Sequence, residues 1–141
     1  MNIFPYFVLP PEETHRPLVE VTFTGTEGEI TTLGLVDSGA INTIFGSEFA
    51  YAAGIDLTDA EIERSNVGGG GVVIKYVKLR LSVPSVTDPH EPGHLFTWEA
   101  RVGFADNWVA SYGLLGHEFF RFFSVTFRTA DFEFEIEPIS E

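Results

Sequence analysis

Apolar and polar residues change period along this chain, and the changes mark out a succession of predicted strands broken by two short helices. Leu18 to Thr24 alternates, with Val19, Val21 and Phe23 on one side, as a half-buried strand does. Gly25 to Gly28 contains two glycines and predicts a hairpin turn, after which Ile30 to Val36 is the returning strand. Val72 to Val83 is rich in β-branched residues and alternates from Val77 onward, so a long strand is predicted there. Leu95 to Phe104 predicts another, with Phe96, Trp98, Ala100 and Val102 on one face. Ser124 to Arg128 and Phe132 to Glu137 predict a final hairpin. In its second strand Phe132, Phe134 and Ile136 alternate with Glu133, Glu135 and Glu137, an inside/outside pattern.

The helical stretches are brief. Ser47 is a candidate cap, Glu48 sits favourably in the first turn, Phe49, Ala50, Ala52 and Ala53 form the body, and Gly54 is a stop. His117 to Phe123 predicts one or two further turns, with Phe119, Phe120, Phe122 and Phe123 as core or dimer contacts. Pro84 to His94 and Ala105 to Tyr112 read as loops. Prolines at 5, 10, 11 and 17 make the first 17 residues an extended, loop-like segment with no clear strand. The expectation is a mostly β chain of 141 residues forming one domain, 1–141, large enough to bury roughly two-thirds of its unfolded surface.

Composition narrows the classes. With 44% hydrophobic and 21% charged residues the chain is ordinary for a folded globular protein and unlike a disordered one. No apolar run approaches the ~20 residues of a membrane span. The start has no basic segment of the kind a secretory signal carries, so a cytoplasmic protein without membrane association is expected. The absence of cysteine removes disulfides, thiolate metal sites and thiol nucleophiles. A formal net charge of −13 repels a phosphate backbone and argues against nucleic acid as a partner. That charge reads first as solubility, and second as a preference for basic protein substrates.

Against this background one tripeptide stands out. Asp37-Ser38-Gly39 occurs once, preceded by the apolar Leu33, Leu35 and Val36 and followed by Ala40-Ile41-Asn42-Thr43. It places a carboxylate between a buried strand and a glycine turn. The simplest alternative is an aspartate that stabilises its own turn, which is common before Ser-Gly. Two further features follow in order: the glycine run Gly68-Gly69-Gly70-Gly71, some thirty residues on, and Leu114-Leu115-Gly116 leading into a helix.

From about Leu18 to Phe127 this arrangement resembles the retropepsin-like aspartic proteases, the single-domain relatives of pepsin. The resemblance implies a closed retropepsin β-barrel with two short helices, and an aspartic endopeptidase that needs no cofactor and no metal. Asp37 would be catalytic and Ser38 would brace the two catalytic loops across a dimer axis. Gly39 would let the backbone approach the site and Ala40 would lie beside the substrate cleft. Val67, Gly68, Gly69, Gly70, Gly71, Val72 and Ile74 would belong to a flap over a bound peptide, and Leu114, Leu115 and Gly116 would hold the catalytic loop from behind. Four features depart from the family pattern: serine in place of the commoner threonine at 38, four consecutive glycines in the flap, His117 after Leu-Leu-Gly, and a Pro-rich N-terminus with no clear strand for the dimer sheet that chain ends build in the retroviral members.

The chemistry implied is hydrolysis by two carboxylates that share one proton, because like charges about 3 Å apart do not both ionise. With one motif per chain the second carboxylate must come from a second copy, so a homodimer acting on a peptide or protein substrate is expected. Ile41, Val72 and Ile74 suggest an apolar cleft. The alternative function is a non-catalytic module that keeps the fold for peptide binding or assembly. Other chemistries fit poorly. No Gly-Lys-Ser/Thr follows the glycine run, so it is not a phosphate loop. Ser38 lies in no Gly-x-Ser-x-Gly elbow. His90 and His94, with Glu91 between, lack a third ligand at helical spacing for zinc.

Overall fold

In the computed structural model, residues 2–10, 14–65, 71–84 and 95–139 are described. Three short strands come first, β1 (Ile3–Pro5), β2 (Phe7–Leu9) and β3 (Thr14–Arg16). The long hairpin β4 (Leu18–Gly25) and β5 (Gly28–Val36) follows, then β6 (Thr43–Gly46) and α1 (Ser47–Ala53). Next are β7 (Glu61–Ser65), β8 (Val72–Pro84), β9 (Leu95–Ala105) and β10 (Gly113–Leu115). The chain ends with α2 (Phe119–Phe122), β11 (Phe123–Arg128) and β12 (Glu133–Pro138). Among the described residues no helix is long and apolar enough to cross a membrane.

Six strands close into a barrel in the order β4-β5-β10-β6-β9-β8, and β8 returns to β4 through Thr22↔Ser82 and Phe23↔Leu81. The length of β8 makes closure possible. One edge pairs with β9 from Ile74 to Pro84, while the other carries β7 over Val72 to Tyr76 and meets β4 farther along. The interior follows from alternation: Val19, Val21, Phe23, Leu81, Val83, Ala100, Val102 and Phe104 are all buried. Phe23 packs against Phe45 and Phe104 with ring centroids 5.5 and 5.7 Å apart. A second aromatic knot joins α2 to the sheet, with Phe119 4.8 Å from Phe123 and Trp98 5.1 Å from Phe123. The closed β-barrel with two short helices expected from the sequence is therefore present.

Local expectations fail in three places. The N-terminal segment is not loop-like: β1 pairs with β12, β2 pairs with β3, and Pro5, Pro10 and Pro17 sit at strand ends where no ladder N–H is needed. Ser47 does not cap α1; Gly46 occupies the cap position, and Ser47 Oγ donates to Asp106 Oδ1 at 2.5 Å. Phe132 is not a core strand residue. The 3-10 turn Thr129–Asp131 needs a left-handed residue to turn back into β12, and Phe132 takes that conformation with φ +53°. Its ring stacks on His15 at 4.0 Å instead. Gly54 closes α1 with φ +73°, as its position in the sequence suggests.

One side chain ties the outer strands together. The Arg101 guanidinium on β9 lies 3.8 Å from the centroid of the Tyr76 ring on β8 and is 3.2 and 3.1 Å from the carboxylates of Glu61 and Glu63 on β7. Burial would lower the Arg101 pKa, but the hydrogen bonds it donates to Glu61 and Glu63, with their charges, outweigh it and raise it. Burial, reinforced by Glu63, raises the Tyr76 hydroxyl. The carboxylates are exposed, so the ring contact carries most of the energy. Arg101→Ala is expected to cost about 1–2 kcal/mol in thermal unfolding and to speed amide exchange in β7 more than in β9; unaltered exchange in β7 would show that the hairpin is held by other means.

Candidate active site

Asp37 stands where β5 leaves the sheet. The strand ends because Ser38 and Gly39 turn, and the turn is built on the aspartate itself. The Gly39 N–H donates to Asp37 Oδ1 at 2.9 Å, and the Ala40 N–H donates to Asp37 O at 3.2 Å. This side-chain-to-backbone bond is the usual reason for aspartate at such a position. The Asp37 N–H donates to Leu115 O at 3.1 Å, which anchors the residue to β10. Asp37 is half-buried, and Ser38 and Gly39 are exposed.

β10 is inserted between the two strands that bracket this loop. Leu114 lies opposite Leu35 of β5 in parallel pairing and opposite Ile44 of β6 in antiparallel pairing. Beyond β10 the chain continues to grip the loop. The Gly116 N–H donates to the Thr43 hydroxyl at 3.3 Å, and the His117 N–H is shared between Ala40 O at 3.0 Å and Ile41 O at 3.3 Å. His117 Nε2 lies 2.9 Å from Ser38 O. A carbonyl can only accept, so Nε2 carries the proton. A Cβ at residue 116 would lie 2.5 Å from Asn42 O and 2.8 Å from Ala40 O, which explains the glycine.

The loop opens onto a hollow of about 360 Å³. Among the described residues Asp37 is the one carboxylate in its lining, and Ala40, Ile41, Ile44 and Leu114 give it apolar walls. Ile41 is 73% exposed, well placed to meet a ligand. On the neighbouring hairpin Gly71 is exposed and Val72 half-buried. Ile74 differs from the substrate-facing role expected of it: it is fully buried with Ile44, Tyr76 and Ala105, so it backs the wall of the hollow without facing it. The rest of the expected flap, Val67, Gly68, Gly69 and Gly70, lies outside the described residues, as do His90, Glu91 and His94. Among the described residues no group of three or more His, Asp or Glu is placed to hold a metal ion.

The site thus brings together Asp37, Ser38, Gly39, Ala40, Leu114, Leu115 and Gly116. Two contributors were not anticipated as such. Thr43 is a buried hydroxyl whose only sequence signal is a polar residue opening the apolar run Thr43-Ile44-Phe45. His117 had the signal of an unusual residue after Leu-Leu-Gly. A second hollow, about 380 Å³, adjoins the loop before β10, where the Arg16 guanidinium lies 5.5 Å from the Tyr112 ring centroid. Trp108 Nε1 donates to Tyr112 O at 2.8 Å and steadies the same loop.

No family model and no curated protein matches the sequence. Among solved structures the chain is similar to a retropepsin-like aspartic protease from Rickettsia conorii, at 18% identity over 95% of this chain and 86% of that one, with a TM-score of 0.54. It also matches EIAV protease complexed with an inhibitor, at 13% identity over 80% and 92% of the two chains, with a TM-score of 0.40, too low to carry an argument. The first likeness establishes a retropepsin-like fold.

Gly116→Ala is expected to push the Asn42 and Ala40 carbonyls aside, costing about 1–3 kcal/mol as other overpacking substitutions do. The measurement is thermal unfolding together with amide exchange across residues 37–43; an unshifted melting temperature would mean that the close approach at 116 does not constrain the loop.

Proposed function

Starting from a retropepsin-like fold, we propose that two copies of this chain form an aspartic endopeptidase, with Asp37 of each copy providing one of two catalytic carboxylates. The observation that carries this reading is the position of Asp37: a carboxylate braced by Gly39 and β10 at the rim of an apolar hollow whose lining, among the described residues, holds no other acid. A half-site of this kind becomes a general acid–base pair only when a second carboxylate faces it.

In the proposed reaction the two carboxyl groups share one proton. The ionised group removes a proton from the water between them, and the water oxygen attacks the scissile carbonyl carbon. The protonated group donates to the carbonyl oxygen. Proton return to the amide nitrogen lets the C–N bond break and regenerates the starting pair, without a covalent enzyme intermediate. Ser38, exposed at the tip, braces the loop against its copy. Gly39 and Ala40 border the cleft, Leu114, Leu115 and Gly116 support the loop, and Val67 to Val72 are assigned as the flap over the peptide. The apolar walls at Ala40, Ile41, Ile44 and Leu114 favour hydrophobic side chains beside the cut bond.

A second reading has one specific observation in its favour. Asp37 Oδ1 already accepts the Gly39 N–H, so the aspartate has a structural task even in a non-catalytic peptide-binding or assembly module. Asp37→Asn separates the two, because an amide oxygen can accept the same bond. Folding and self-association are expected to persist while peptide cleavage falls by about 10²–10⁴-fold; cleavage at the parent rate would reject the endopeptidase. The pH profile provides a second check. Raising pH removes the shared proton and with it the general acid, while lowering pH protonates both groups and removes the base. A bell-shaped rate is therefore expected, and a rate that climbs steadily to neutral pH would point to other chemistry.

A further inference from the structure

The peptide group that joins Ser38 to Gly39 is hydrogen-bonded at both ends. Its carbonyl, Ser38 O, accepts from His117 Nε2 at 2.9 Å, and its N–H, on Gly39, donates to Asp37 Oδ1 at 2.9 Å. One amide plane therefore separates the imidazole from the carboxylate, and the three groups form a single chain of donors and acceptors. An amide whose oxygen accepts a hydrogen bond shifts electron density from nitrogen toward oxygen, which makes its N–H a better donor. Hydrogen bonds linked in this way strengthen one another. The acceptor at the end of the chain is a carboxylate, and bonds to an ionised acceptor are the stronger kind.

The backbone at 117 does not require histidine. Its N–H is shared between Ala40 O and Ile41 O, bonds open to any residue but proline. What the side chain adds is one bond, to the carbonyl whose own peptide N–H meets the Asp37 side chain. The residue is exposed, so packing does little to orient the ring. Nε2 carries a proton in this tautomer and keeps it when the ring gains a second proton at Nδ1, so the bond survives protonation. His117 also stands outside the hollow, whose lining among the described residues does not include it. Any effect it has on a ligand must pass through the loop.

We propose that His117 is a positioning residue for Asp37, acting through the Ser38–Gly39 peptide. By polarising that peptide it strengthens the Gly39 bond to Oδ1. Because a carboxylate is planar, holding Oδ1 also sets the direction in which Oδ2 is presented, the kind of preorganisation on which an electrostatic site depends. The hydrogen-bond chain is complete within one copy; its consequence for rate rests on the reading above.

The test compares His117→Gln with His117→Leu. The glutamine amide nitrogen lies as many bonds from the backbone as Nε2 and can donate to Ser38 O, leucine cannot, and both variants keep the N–H of residue 117. In proton–nitrogen correlation spectra the Gly39 amide proton is expected to move upfield in His117→Leu and to return toward the parent position in His117→Gln. With a peptide carrying apolar residues beside the cut bond, kcat is expected to fall roughly threefold to tenfold in His117→Leu, the weight of about one net hydrogen bond. KM should hold, and His117→Gln should recover most of the loss. A measurement on the parent needs no variant to fold: the neutral ring should carry its proton on Nε2. A Gly39 resonance that ignores the leucine, or that glutamine fails to restore, or a parent ring protonated on Nδ1, overturns the positioning role and leaves the shared-carboxylate reading standing. A loss carried by KM overturns it as well, since that places His117 in ligand binding. If Gly39 responds as expected while the parent cleaves no peptide, the coupling stands and the endopeptidase falls.

Discussion

The insertion of β10 between β5 and β6 is the constraint on which the rest depends. β5 and β6 would otherwise diverge at the Asp37 loop, leaving a flexible turn at the end of a hairpin. Leu114 pairs to both sides at once, parallel to Leu35 and antiparallel to Ile44. The fit tolerates no side chain at 113, where a Cβ would lie 2.7 Å from Ile44 O and closer still to the Phe45 ring. Three residues of strand therefore fix the spacing of two others. Because Leu115 is fully buried in the barrel core, moving the loop would also mean disturbing the core.

From that insertion follows the combination a reactive carboxylate needs, an exposed loop on a rigid base. The tip residues Ser38 and Gly39 face solvent, yet the carbonyls of Ser38, Ala40 and Ile41 all accept hydrogen bonds from His117. Few of the loop's polar groups are left to reorganise when a ligand arrives, which is what preorganisation means for an electrostatic site. The neighbouring β7–β8 hairpin is attached differently. Its strand β7 is held by pairing with β8 and by the ion pairs of Glu61 and Glu63 with Arg101, not by the Asp37 loop.

Much of this was legible because period and chemistry coincide. The strands at 18–25, 28–36, 72–84 and 95–105 follow from alternation or β-branching, and the Asp-Ser-Gly and Leu-Leu-Gly motifs identified the loop and its support before any geometry. What stayed hidden was non-local. The closing pair Phe23↔Leu81 leaves no mark in sequence, because a strand does not advertise which edge it will share. β6 is four buried residues, too short for a period to be read. The N-terminal strands were obscured by prolines that in fact mark strand ends, and Phe132 by a turn requirement that overrides its apolar character. The side chain of Ile74 looked like lining because it lies on the right strand, but the sequence could not say that the face it occupies belongs to the core.

Charge is spread unevenly over the described surface. Two chains of net charge −13 repel at long range, but at physiological ionic strength that repulsion is screened beyond about 8 Å. What decides association is thus the charge at the contact itself. On β7 Glu61 and Glu63 are both exposed, and on β12 Glu137 is exposed while Glu135 is largely covered. β11 is different: its one charged residue is Arg128, whose Nη2 lies 3.1 Å from Glu135 within its own chain. The strand is therefore locally close to neutral and apolar in a strongly acidic molecule. A contact made at that strand would therefore meet less like charge than one made on β7.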